Sequence, residues 1–207
     1  MGDDTPQKIV TWPSDEEIKT AFHAYTLAVG KVAFAWNFLH ERLGRLFVAV
    51  TGMDREIAFG IWYSTDSDRT KQLMLKGAIL AAKKDRWLPR LPKARDDLIW
   101  LTDRVIGLGE ARNNAIHAPC TLLTDWDGSE MGASFFSGHE RAKKLLGKDI
   151  LVEFDWCEAW SEDLSRFCER AETAINFERY SWPDKPAQPN RRQKKDLPNP
   201  RRPSRTV

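Results

Sequence analysis

Arg112 and His117, five positions apart, are the pair in this sequence whose side chains suit a reaction. Arginine presents a planar, permanently charged fork that matches two oxygens of a phosphate. Histidine takes or gives a proton near neutral pH. Together they suit cleavage of RNA by attack of its own 2′-hydroxyl. The imidazole handles a proton, and the guanidinium steadies the charge growing on the phosphoryl oxygens. Such a step needs no metal, and the sequence offers no convincing carboxylate or histidine cluster to hold one. No cofactor motif stands out, since Gly107-Leu108-Gly109 lacks the preceding strand that a dinucleotide loop requires.

A helix must carry this pair. Leu98, Leu101, Val105 and Leu108 recur at spacings of three and four from a start near Lys93, and the next step of the stripe falls on Arg112. A guanidinium there lies at the margin of a buried face and needs an anionic partner or a wet groove. Asn113 and Asn114 follow, both poor helix formers. Five helical steps turn about 140°, so Arg112 and His117 meet only if the helix frays or turns near its end. Pro119 disfavours the helical region for Ala118, so the helix should stop at about His117 and leave the imidazole free to swing back. A structural reading of the same residues stands beside this one. In it Arg112 pairs with a carboxylate, Glu110 or one on a neighbouring helix, and His117 caps a helix C-terminus, where an imidazolium is favoured.

The rest of the chain reads as further helices. Ile18, Phe22, Tyr25, Val29, Val32, Trp36, Leu39, Leu43, Leu46 and Val50 form one stripe, opened by a Ser14/Glu17 capping box and closed by Gly52. A short helix follows over Asp54–Tyr63, with Ile57, Ala58, Ile61 and Trp62 inward, and a third over Ser67–Lys84, with Leu73, Met74, Ala78 and Ile79 apolar. After His117 the period changes. Cys120–Trp126 and Met131–Phe136 flank the turn pair Asp127-Gly128, Ala142–Leu146 is one helical piece, and Ile150–Phe154 alternates like a strand. Asp155 with Glu158 then starts a last helix carrying Trp160, Leu164, Phe167, Ala171 and Ala174, ending near Tyr180. The expected fold is mainly α: a helical bundle with a long first helix and a small β excursion after the fourth.

Glu110-Ala111-Arg112-Asn113-Asn114-Ala115-Ile116-His117 resembles the signature of HEPN domains, an arginine, usually a polar residue, then a histidine after four to six positions. The resemblance implies an HEPN-like helical bundle that is commonly a homodimer, with the two motifs facing one cleft. It implies a metal-independent endoribonuclease of toxin–antitoxin or antiviral defence systems, with RNA as substrate and an antitoxin protein as a possible partner. Carried over residue by residue, it assigns Arg112, Asn113 and His117, with Glu110 as the acidic residue some members hold upstream. The β excursion departs from the family pattern, and some members have lost activity. The alternative is therefore a catalytically inactive dimerisation or scaffold module.

Charge divides the chain of 207 residues. Residues 181–207 hold eight Lys or Arg against two Asp, a net +6 that leaves −4 on the remainder of a chain whose total is +2. That balance excludes a uniformly basic nucleic-acid coat. The division is a flexible N-terminus (1–13), a helical domain (14–180, with a β-containing insertion at 120–154) and a disordered basic, proline-rich tail (181–207). Arg191, Arg192, Lys194, Lys195, Arg201 and Arg202 suit sequence-independent RNA phosphate contacts, or else solubilise the chain or dock an acidic partner. Cys120, Cys157 and Cys168 are odd in number and unpaired in spacing, which argues against a disulfide framework. No uncharged apolar run reaches membrane-spanning length, so a cytoplasmic location is expected. His40 and His23 read as solvated helical residues and His139 as a helix start. Asp54, Asp66 and Asp68 read as turn or cap residues, and Cys120 as a buried small side chain.

Overall fold

Ser14 opens the first helix, α1 (Asp15–Thr51), through a complete capping box: its hydroxyl accepts from the Glu17 N–H at 3.3 Å, and its own N–H donates to Glu17 Oε2 at 2.8 Å. Gly52 closes it in the left-handed region at φ 61°, a conformation glycine adopts without steric cost. The apolar stripe divides. Val32, Trp36, Leu39, Leu43, Leu46 and Val50 are buried, whereas Tyr25 and Val29 are half-covered and Ile18 and Phe22 are exposed. At 1.5 Å per residue, the 37 residues of α1 span about 55 Å, more than any helix packed against it, so its first turns overhang.

The described residues are 12–82, 87–125, 128–134 and 138–191 of this computed structural model. They are mainly helical, with one small antiparallel sheet after the fourth helix. α2 (Arg55–Trp62) is capped by Asp54, whose Oδ1 accepts from the Glu56 and Ile57 N–H groups. It turns Ala58 and Trp62 inward but leaves Ile57 and Ile61 exposed, because residues four apart define its one covered stripe. α3 (Asp68–Ala81) follows the N-cap Ser67 and buries Leu75 and Ile79. Leu73 is exposed, and the expected end at Lys84 lies outside the described residues. α4 (Ala94–His117) buries Leu98, Leu101, Val105 and Leu108 as its spacing requires. Pro119 forces Ala118 to φ −69°, ψ 138°, which ends the helix at His117.

β1 (Cys120–Asp125) and β2 (Gly128–Ala133) pair antiparallel, from Cys120 opposite Ala133 to Asp125 opposite Gly128. β2 starts before the expected Met131 and ends at Ala133, since Ser134 is no longer strand, while residues 126–127 and 135–137 lie outside the described residues. α5 (Glu140–Lys143) starts after His139, whose Nδ1 accepts from the Arg141 N–H.

Ile150–Phe154 is not a strand. Asp149 Oδ1 accepts from the Leu151 and Val152 N–H groups and starts α6 (Ile150–Asn176) six residues before Asp155. Ile150, Phe154 and Cys157, spaced four and three, are buried together. The β-containing stretch therefore stops at Ala133 rather than reaching 154.

α6 runs parallel to α1, its main partner: Phe154 meets Tyr25 at 5.6 Å between ring centroids, and Glu169 meets Arg42 at 3.2 Å. α4 runs antiparallel to α1, with Gly109 against Trp36 and Cys120, just beyond α4, against Tyr25. α3 lies on α4 through Lys76–Asp103 at 2.6 Å and Arg69–Glu110 at 3.8 Å.

The tail is not disordered from Ser181 onward. Residues 181–191 lie against the bundle, where Trp182 donates to Asp97 Oδ2 at 2.9 Å and Pro189 C=O accepts from the Trp156 indole at 2.9 Å. Proline and charge content alone suggested an unpacked chain; two buried carboxylates on the bundle supply what composition could not show. Of the N-terminal 1–13, only Trp12 and Pro13 are described.

Candidate functional site

α4 presses on Trp36 at Gly109, where a Cβ would come 3.0 Å from the indole ring. That close approach brings the next turn of α4, and with it Arg112, over the same indole. The Arg112 guanidinium carbon sits 5.7 Å from the Trp36 ring centroid, a cation–π distance. Its Nη1 donates to Asn113 Oδ1 at 2.9 Å, while its Nε is buried without a hydrogen bond. Arg112 forms no ion pair with a carboxylate within 4.0 Å among the described residues. Burial lowers its pKa from the usual arginine value, opposed by the negative charge of Asp68.

Three residues that sequence reasoning set aside or placed only in the core support this guanidinium. Asp68, the first residue of α3, accepts from the Trp36 indole N–H through Oδ2 at 2.8 Å and so fixes the ring plane under Arg112. Its Oδ1 lies 3.5 Å from His40 Nδ1, and the His40 ring meets Trp36 at a tilt of 47° with centroids 4.7 Å apart. Neither ring nitrogen of His40 makes a hydrogen bond, so the Asp68 contact is electrostatic. Burial pushes the His40 pKa down to about 4, against the attraction of Asp68 and with repulsion from Lys71 and Arg112. His40 is neutral at neutral pH. Its one local signal is its place four residues after Trp36, on the same face of α1.

The motif residues are placed differently. Glu110 is exposed and reaches Arg69 at 3.8 Å, so it is not the partner of Arg112. Asn113 accepts from Arg112 through its side chain and from Arg141 Nη1 through its backbone carbonyl at 3.5 Å. His117 is exposed at the end of α4, and its side chain makes no hydrogen bond among the described residues. The helix does not fray before it, since the Ala118 N–H still donates to Asn114 O at 3.2 Å. Arg112 and His117 therefore stay about 140° apart around α4 within one copy. The structure brings together Trp36, His40, Asp68, Arg112 and Asn113, and holds His117 on another side of the same helix end.

The nearby Cys157 thiol is not activated. Cys157 is buried and pushed up to about 12, chiefly by desolvation. Cys120 accepts from the Tyr25 hydroxyl at 3.7 Å, and burial raises that hydroxyl to about 12. Among the described residues, no group of three or more His, Cys, Asp or Glu side chains converges to hold a metal ion. No helix there is long and apolar enough to cross a membrane. Arg191 is an internal contact rather than a free cation: it lies 3.4 Å from Glu153 and 4.0 Å over the Trp156 ring. Arg192, Lys194, Lys195, Arg201 and Arg202 lie outside the described residues. Neither a family model, nor a curated protein, nor a solved structure matches the chain.

Proposed function

We propose that the protein is a metal-independent endoribonuclease of HEPN type that works as a homodimer, in a toxin–antitoxin or antiviral role in the cytoplasm. The observation that carries this reading is the state of Arg112. Its guanidinium is half-buried on an aromatic shelf, unmatched by any carboxylate within 4.0 Å among the described residues. An arginine placed only for structure closes an ion pair at such a site, whereas this one, with Nη1 on Asn113 and Nε buried, keeps Nη2 and its full charge for a phosphate oxygen.

The reaction is an internal transfer. The 2′-oxygen of RNA attacks the adjacent phosphorus, the 2′-proton passes to a neutral imidazole, and the bond to the 5′-oxygen breaks as that oxygen takes a proton from an imidazolium. Arg112 binds the non-bridging oxygens as their charge rises. Arg112 and His117 point apart in one copy, so Arg112 of one copy works with His117 of the other. In each such site the one His117 takes the 2′-proton as base, and the imidazolium so formed gives a proton to the leaving 5′-oxygen.

The bare start of the α1 stripe supports this pairing. Ile18 and Phe22 continue the face of Tyr25, and Tyr25 touches Cys120, three residues past His117. A second copy covering Ile18 and Phe22 brings its own α4 end beside the first. A second reading, an inactive scaffold, is favoured by another uncovered face, where Leu27, Phe34 and Phe38 are exposed opposite Trp36 on α1.

One assay separates the two. Incubated with single-stranded RNA in EDTA, the protein is expected to leave 2′,3′-cyclic phosphate and 5′-hydroxyl ends, and Phe22→Glu to give monomers with most of that cleavage lost. Intact RNA at every protein concentration would leave the scaffold.

A further inference from the structure

Asn113 and His117 stand four residues apart on α4, about 40° from each other around the helix, so they share a face. In an α-helix the carbonyl of one residue accepts from the N–H four residues on. α4 runs unbroken to His117, so the Asn113 carbonyl is the acceptor of the His117 N–H. That same carbonyl accepts from Arg141 Nη1 at 3.5 Å. The Arg141 guanidinium is therefore held at the turn of α4 that carries His117, a place that Arg112, about 140° round the helix, does not reach within one copy.

Arg141 is fixed from both sides. Its N–H donates to His139 Nδ1 at 3.3 Å, and the next residue, Ala142, is buried in the core together with Leu145. Its side chain is half-buried and lies within 4.0 Å of no carboxylate among the described residues. The acid beside it in sequence, Glu140, is taken by Lys143 at 2.7 Å. Arg69, the other arginine near this face, is turned to Glu110 at 3.8 Å, two turns before His117. A carbonyl accepts a hydrogen bond but carries no net charge, so the Arg141 cation is left unmatched beside an exposed imidazole.

We infer that Arg141 is a phosphate-binding residue of the site: the copy that supplies His117 supplies Arg141 with it, and this guanidinium grips the RNA strand at a phosphate next to the one being cleaved. The choice of RNA rests on the proposed ribonuclease reading; the placement of Arg141 beside His117 does not. The two guanidinia then divide the work. Arg112 of one copy meets charge that grows during the reaction. Arg141 of the other holds charge that is present throughout, so its loss falls on KM rather than on kcat.

The test measures binding of a 2′-O-methyl single-stranded RNA, which offers no attacking hydroxyl, and cleavage of ordinary RNA beside it. Arg141→Gln keeps a side-chain N–H donor and removes the charge. It is expected to weaken the Kd about three- to tenfold and to flatten the log–log salt slope by about 0.7. KM should rise by a similar factor, with kcat within about twofold of the parent. Arg141→Lys, which keeps the charge, should restore the slope and most of the affinity. An unchanged slope in Arg141→Gln would overturn the inference, and so would an equal loss in Arg141→Lys, which marks packing of α5 rather than charge. A parent that binds the methylated RNA but cuts none would retire the ribonuclease reading and leave the Arg141 contact to stand or fall on its slope. A parent that binds no RNA would overturn both.

Discussion

Arg112→Ala is expected to lower kcat/KM for single-stranded RNA by about 10²–10³, the range seen when a preorganised stabiliser of developing phosphoryl or oxyanion charge is removed. The loss should fall on kcat more than on KM, because the charge that the guanidinium meets grows only as the new bond forms. Arg112→Lys keeps the cation and loses the two-pronged fork, so it should recover a minor part of the rate. Stability is the control. Arg112 is partly desolvated and joined to no carboxylate within 4.0 Å among the described residues, so its removal takes away a burden as well as contacts. Urea midpoints for Arg112→Ala and the parent should therefore lie close together. A variant that cuts RNA normally, or that loses cleavage only in proportion to lost folding, would return Arg112 to a structural role.

Acid should loosen the fold through His40. The folded pKa of about 4 lies below the ordinary 6.5 because burial penalises the imidazolium, outweighing the pull of Asp68, while Lys71 and Arg112 push the same way as burial. Between those two values the unfolded chain binds the proton and the folded chain does not, so stability rises with pH across the window. The contribution is complete above 6.5 and is lost as pH falls toward 4, amounting to about 3 kcal/mol at 1.36 kcal/mol per unit. His40→Gln carries no titrating group and should lack this component. Urea unfolding from pH 7 to pH 4 should show the parent losing stability more steeply than the variant. Parallel profiles would mean that the His40 ring is solvated or already charged in the fold.

Local chemistry made much of the fold legible. The Ser14 box, the Gly52 cap, the α4 stripe and the Pro119 stop each act within one turn of helix, and each operates as its residues dictate. Ile150–Phe154 misleads because five residues fit either a period of two or one turn of a helix; only the Asp149 cap and the buried Cys157 one turn later separate them. The support beneath Arg112 is another matter. His40 and Asp68 are 28 positions apart, and Arg112 lies 44 beyond Asp68, so their meeting depends on how α1, α3 and α4 pack. No spacing rule reaches that far. The docking of residues 181–191 on the bundle is hidden for the same reason: Trp182 finds Asp97 across 85 positions, and a tail rich in proline and arginine carries no local sign of it.

The most direct measurement mixes two proteins that are each inactive alone. Arg112→Ala and His117→Ala, combined under conditions that let subunits exchange, yield mixed dimers. In each, one of the two sites keeps an intact arginine from one copy and an intact histidine from the other. Random exchange makes half of the dimers mixed, so cleavage of single-stranded RNA in EDTA should return to about a quarter of the parent rate. A mixture that stays as inactive as its components, although exchange is verified, would contradict the pairing of Arg112 and His117 across two copies.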